Sequence, residues 1–228
     1  MICLSHFRLG VQSTVIKISL TGLAKFMTSG PAAQRKVVHD YKYPDEDEPK
    51  AMRLYYLEAV DSIKAYHLNK HPATWLDQQA ERIGELAATV SGMTRSRLNN
   101  NARAVRQYAQ NFGARKFTIL DDLKLALFFG SVRVTVIPDL HVREYKKEKI
   151  VKLGFSRSEP EGQLVRIVSQ SMFEAYRTAE GAITSSNVLY LDVARGIEHR
   201  GARVGARLMT DIRAACENIE ALWDTVAK

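Results

Sequence analysis

The chain has 228 residues, 46% of them apolar and 25% charged, with a net charge of +8. That length and balance suit a globular protein with a real core and exclude a disulfide-stapled mini-domain or a low-complexity chain. The only cysteines, Cys3 and Cys216, are far apart, so no disulfide framework or CxxC metal pair follows and a reducing, cytoplasmic setting is expected. No stretch is apolar for the roughly 18 residues a membrane span needs, so no membrane partner is expected.

Residues 1–48 read as a flexible N-terminal extension. The first 26 mix apolar and charged residues without a signal-peptide h-region, and a weak signal or anchor is the alternative. Met27 opens a polar segment, MTSGPAAQRK, which makes residues 1–26 a candidate mis-assigned start. Pro31, Pro44, Pro49 and the acidic run Asp45 to Glu48 complete the expected lead-in.

Three one-faced helices are predicted over residues 49–115. The first spans about Pro49 to Asn69, with Met52, Tyr56, Ile63 and Tyr66 near one face. The second starts at Thr74, where Asp77 three residues on makes a capping box; Leu76, Ala80, Ile83, Ala87 and Val90 step by three and four, and Gly92 ends it. The third runs from Thr94 to Gly113 on a stripe of Leu98, Ala102, Val105, Ala109 and Phe112. None is stable alone, so they are expected to form a small bundle or a docked cap.

Residues 116–228 read as an α/β core. A short helix is predicted over Ile119 to Phe129, capped by Thr118 with Asp121 and closed by Gly130. A β-hairpin is predicted over residues 131–155, turning at Tyr145 to Glu148. A helix capped by Ser158 with Glu161 carries Leu164, Val168, Met172, Ala175 and Ala179 to Gly181. Val188 to Val193 is a short strand. A last helix, Arg200 to Val226, carries Val204, Leu208, Ile212, Ala215, Ile219 and Leu222. The fold class is therefore α/β: a three-helix N-terminal part followed by a small αββαβα sandwich, with no internal repeat.

The third helix carries the first functional pattern. Arg95, Asn99, Arg103, Arg106 and Gln110 follow a helical spacing beside the apolar stripe, and Thr94 to Lys116 holds six Lys or Arg and no acid. Such a face suits phosphates and base edges; the alternative is a solvated outer face. The loop after the short strand adds Arg195, Arg200, Arg203 and Arg207, which could clamp phosphate. Within it, Glu198 with His199 suggests acid-base work or simply a surface histidine. Arg195 to His199 is one residue short of the spacing used by helical RNases. His67 and His71 are four apart, but Pro72 breaks the helix and no third ligand is evident. Trp75 and Trp223 read as core.

In the hairpin, a turn at Tyr145 to Glu148 pairs Glu144 with Lys149, His141 with Lys152 and Asp139 with Gly154. Asp139 then shares a face with residues 152 and 154. A helix, a hairpin with Pro138-Asp139 in its first strand, then a helix and a strand resembles the PD-(D/E)XK nuclease superfamily over about residues 118–193. The resemblance implies a restriction-endonuclease-like core with Mg²⁺ or Mn²⁺ held by Asp139 and an acid on the next strand, and with a lysine two residues beyond that acid. Here Lys152 and Gly154 stand at those two positions. Gln170 falls where some members carry a glutamine, and Asp121 or Asp122 could replace an acid of the preceding helix. The literal string Glu144-Tyr145-Lys146 spells the missing motif but lies at the turn.

Three readings stay open from the sequence. One is a nucleic-acid-associated protein with a degenerate site, needing no cofactor. The second is a metal-dependent nuclease built on Asp139, Asp121 or Asp122, and Glu144, using Mg²⁺ or Mn²⁺. The third is a protein-interaction module whose charge serves solubility. On the first, the nucleic-acid contacts are Arg95, Asn99, Arg103, Arg106, Lys116, Arg195, Arg200 and Arg203.

Overall fold

The structure, a computed structural model, describes residues 15–44, 55–202 and 206–228. The acidic run Asp45 to Glu48, the expected helix start at Pro49 with Met52, and Arg203 and Val204 lie outside the described residues. The class is mixed α/β. In chain order the elements are β1 (Ile16–Ser19), α1 (Leu20–Thr28), α2 (Pro31–Lys42), α3 (Leu57–Leu68), α4 (Thr74–Ala88), α5 (Gly92–Phe112), β2 (Thr118–Ile119), β3 (Leu125–Phe129), β4 (Val132–Val136), β5 (Leu140–Glu144), β6 (Lys147–Gly154), α6 (Gly162–Ala179), β7 (Val188–Asp192), β8 (Ile197–Arg200) and α7 (Ala206–Thr225).

Two sheets form. One has the order β1-β4-β3, with β1 parallel to β4; the other has the order β2-β5-β6-β7-β8, with β6 and β7 parallel and joined through α6. Strict alternation in β4, Val132-Arg-Val-Thr-Val136, sends three valines inward and leaves the polar pair on the other face. The larger sheet is covered on both faces. Leu140, Val142, Val151, Leu153, Leu189 and Leu191 pack on α3, α4 and α5. Ile150, Val188 and Tyr190 point the other way, into a second core shared by α1, α6, α7 and the small sheet.

The N-terminal segment is a correction to the flexible lead-in. Ile16 pairs with Val132 and Ile18 with Val134, and Leu23, Ala24 and Phe26 are almost fully buried. Ser19 caps α1 by accepting from the Gly22 amide. Gly22 must stay small because a Cβ there would overlap the Tyr41 ring of α2.

The predicted helix over 119–129 is also corrected. Thr118 pairs with Arg143 of β5, and Leu125, Leu127 and Phe129 alternate inward as strand β3 against β4. Alternation with a valine-rich partner wins over a short helical pattern. The Thr74 capping box is not formed, since Thr74 is already the first helical residue and no side chain caps α4. Ser158 likewise precedes the true cap position, Glu161, and Gly92 opens α5 rather than closing α4. The last helix starts at Ala206, and residues 197–200 form β8 instead.

Candidate nucleic-acid interface

The β5–β6 hairpin closes through a two-residue turn, Tyr145-Lys146, both at positive φ (49° and 63°), so Glu144 faces Lys147. The expected register is therefore off by two. Leu140 lies opposite Val151, the Asp139 amide donates to the Val151 carbonyl, and Asp139 sits beside Lys152. A shift of two keeps every side chain on its face. Lys152 Nζ donates to Asp139 Oδ1 at 2.8 Å, and the Leu153 amide donates to Oδ2 at 2.7 Å. Both carboxylate oxygens are thus engaged, one by a cation.

Gly154, the position at which the resemblance implies a lysine, is crowded from the neighbouring strand. A Cβ at 154 would overlap the Tyr190 hydroxyl and ring carbons. Burial, then the charges of Asp192 and Asp139, push the Tyr190 phenol up to about 12, so it stays neutral there.

The other acids offered for a metal site are elsewhere. Pro138 and Asp139 lie in the bend between β4 and β5 rather than inside the hairpin's first strand as expected, and within β5 Glu144 shares a face with Leu140 and Val142, opposite to His141. There Glu144, 5% exposed, accepts from Arg115 and from Lys149. Burial raises its carboxyl, and the Arg115 and Lys149 hydrogen bonds outweigh that and hold it below the usual range. Asp122 is bound to Lys64 of α3. The Asp121 carbonyl accepts from His141 Nδ1. Gln170 is buried and donates to Glu174, with no hydrogen bond to Asp139 among the described residues. His67 Nε2 is engaged by the Tyr108 hydroxyl at 2.7 Å, so the His67–His71 pair is not a ligand pair. Among the described residues no cluster of three or more metal-ligating side chains forms.

The basic pattern of α5 divides. Arg95 donates to the carbonyls of Ala87 and Ala88 and closes the end of α4. Arg97 pairs with Glu58. Arg115 bridges Glu144 and Glu198, beside a cleft of about 500 Å³ that Arg200 also lines. Arg200 pairs with Glu198. Among the described residues, Arg103, Arg106 and Lys116 have no carboxylate partner, and Asn99 is exposed. Arg195 is anchored on Asp192 through its amide and its guanidinium. Arg157, which the sequence reading overlooked, extends from the loop after β6 and donates to Asn100 of α5. Arg103, Gln107, Arg157, Ala194 and Arg195 line a second cleft of about 370 Å³.

No helix is long and apolar enough to cross a membrane among the described residues. No protein-family model matches the chain, and no curated protein matches its sequence.

Proposed function

We propose that the chain binds nucleic acid through the α5 face, on a core that resembles a PD-(D/E)XK nuclease but does not cut. The observation that carries the binding reading is charge without compensation. Arg103, Arg106 and Lys116 project from α5 and its C-terminal end with no carboxylate partner among the described residues, in a chain of net charge +8. Cations left unpaired by the fold are the ones that can displace counterions from a phosphate backbone.

The non-cutting reading follows from charge at Asp139. A divalent ion in such a site needs about two carboxylates. Lys152 supplies an ammonium where the second carboxylate would be, so the pair is neutral and Asp139 already has its cation. The Tyr190 ring occupies the space of the lysine that would assist an attacking water.

A gel-shift experiment with labelled duplex and single strand, at two salt concentrations and with or without Mn²⁺, tests both halves. A shift that weakens with salt and yields no fragments is the expected result. Mn²⁺-dependent fragments that vanish in Asp139→Ala would make the protein an enzyme. No shift at low salt would end the binding reading and send the search to protein partners.

A further inference from the structure

The larger sheet ends in a repeated arrangement. Gly154 and Asp192 are the last residues of parallel strands β6 and β7 and lie opposite one another. Three residues beyond each stands an arginine, Arg157 and Arg195. Open α/β sheets bind ligands in the crevice beyond the carboxyl ends of parallel strands. In this protein α5 closes one side of that crevice with Arg103 and Gln107.

Two of the three guanidinium groups are held by hydrogen bonds, those of Arg195 and Arg157. Asp192, 2% exposed, accepts the Arg195 amide at 3.2 Å and its guanidinium at 2.9 Å. The other arm of Arg195 donates to the Arg157 carbonyl at 2.6 Å. Arg157 reaches Asn100 at 3.2 Å, and Asn100 in turn donates to the Tyr55 hydroxyl. Arg103 lies close enough to the Tyr56 phenol for its charge to act on it, and that ring stacks on Phe155 at 4.7 Å. Burial raises that phenol above its ordinary value, so it stays neutral and leaves the Arg103 charge intact. Asp192 pairs with Arg195, and among the described residues Arg103 and Arg157 have no carboxylate partner, so two positive charges face the cleft. Planar guanidinium donors from three segments match the acceptor-rich, anionic oxygens of a phosphate.

We propose that the cleft between Arg103, Arg157 and Arg195 is a phosphate site, and that in the protein's working state it seats a backbone phosphate of nucleic acid. This deepens the nucleic-acid reading and rests on it for the source of the phosphate. The chemistry alone would also admit a small phosphate ester. Arg195 is the structural member, fixed by Asp192, while Arg103 and Arg157 have guanidinium donors to spare.

The test is fluorescence anisotropy with a labelled single strand and a duplex, over a salt series, for the wild type, Arg103→Gln, Arg157→Gln and Lys25→Gln. Lys25 is an exposed cation on α1, away from the cleft. Circular dichroism melts confirm that each variant folds. Inorganic phosphate and a mononucleotide, titrated by calorimetry, form the second arm. The expected result is a loss of about ten-fold for each cleft variant, the cost of one charge-assisted hydrogen-bonding partner. The salt slope should also fall by about one, with Lys25→Gln unchanged. If the cleft variants bind the polymer like the wild type, the cleft assignment is overturned while the nucleic-acid reading stands. If the wild type binds no polymer but binds phosphate or mononucleotide, and the cleft variants lose it, the phosphate site holds and its source is a small ester. Binding of neither overturns both.

Discussion

Replacing Lys152 by glutamate puts a second carboxylate beside Asp139 and measures what the ion pair contributes. The pair is 2.8 Å long with side chains 20% and 17% exposed, so it is mostly shielded from solvent. At an effective dielectric of 20 its gross attraction is about 6 kcal/mol, most of which the desolvation of both ends takes back. What decides the outcome is the state left behind: Asp139 keeps the Leu153 amide but loses its cation and gains a like charge. A cost of about 3 kcal/mol follows from the usual penalty for breaking a shielded pair, discounted for the remaining exposure. For a chain of 228 residues that is a drop in melting temperature of about 6–12 °C. The two carboxylates would then form a minimal divalent-cation site, and Mn²⁺ at about 100 times its dissociation constant would return about 2.7 kcal/mol. Differential scanning fluorimetry of wild type and Lys152→Glu, each with and without Mn²⁺, reads both effects. A variant that melts with the wild type, or a wild type that Mn²⁺ stabilises as strongly as the variant, would refute the claim that Lys152 takes the place of a metal.

Removing residues 1–26 deletes β1 and most of α1, including Ile16, Ile18, Leu20, Leu23 and Phe26, each no more than 4% exposed. At about 1.5–3 kcal/mol for each buried side chain this matches the whole stability of an ordinary domain. The shortened chain should lack a cooperative melt, and a native-like melt would contradict the structure. Gly154→Ala forces a Cβ into the Tyr190 ring and should cost about 1–3 kcal/mol. Tyr190→Phe in the same chain should recover part of that cost by removing the hydroxyl, and urea denaturation of the two chains decides. His67 is held down to about 4 by burial first and by the Arg115 charge second, with Glu144 opposing. The unfolded chain takes up a proton near pH 6.5 and the folded one does not until about pH 4. Stability is therefore full above pH 6.5 and falls as pH drops, by about 2 kcal/mol at pH 5. Urea midpoints across that window should slope in the wild type and flatten in His67→Gln; equal slopes would mean that His67 is not buried as a neutral ring.

The parts legible in the sequence were those whose pattern is local. Leu76, Ala80, Ile83 and Ala87, or Leu208, Ile212, Ala215 and Ile219, recur at helical spacing and are buried as that spacing requires. What escaped was set by distant partners. Strand β1 is four residues whose parallel neighbour β4 lies more than a hundred positions away, so nothing beside Ile16 announces it. The Tyr145-Lys146 turn uses positive φ at two residues that lack the Asn-Gly signature, which is why the hairpin register was misplaced.

The site was legible in kind and not in composition, for the same reason. A register error of two preserves which residues share a face, so the expected company of Asp139, Lys152 and Gly154 rather than a second acid, holds in the fold. A helix face, by contrast, shows its own charges and hides the acids that the fold brings to them. Glu58, Glu144 and Glu198 come from a neighbouring helix and two strands to neutralise Arg97 and Arg115, and Arg95 is spent on carbonyls. The cations that remain are therefore fewer than the pattern suggested, and better placed. Arg103 is joined by Arg157, whose only signal in the sequence was its place three residues past a strand end, matching Arg195 on the parallel strand beside it. Convergence of three arginines from separate segments on one crevice is what distinguishes a candidate site from a basic surface. It is also a property that only the folded chain can possess.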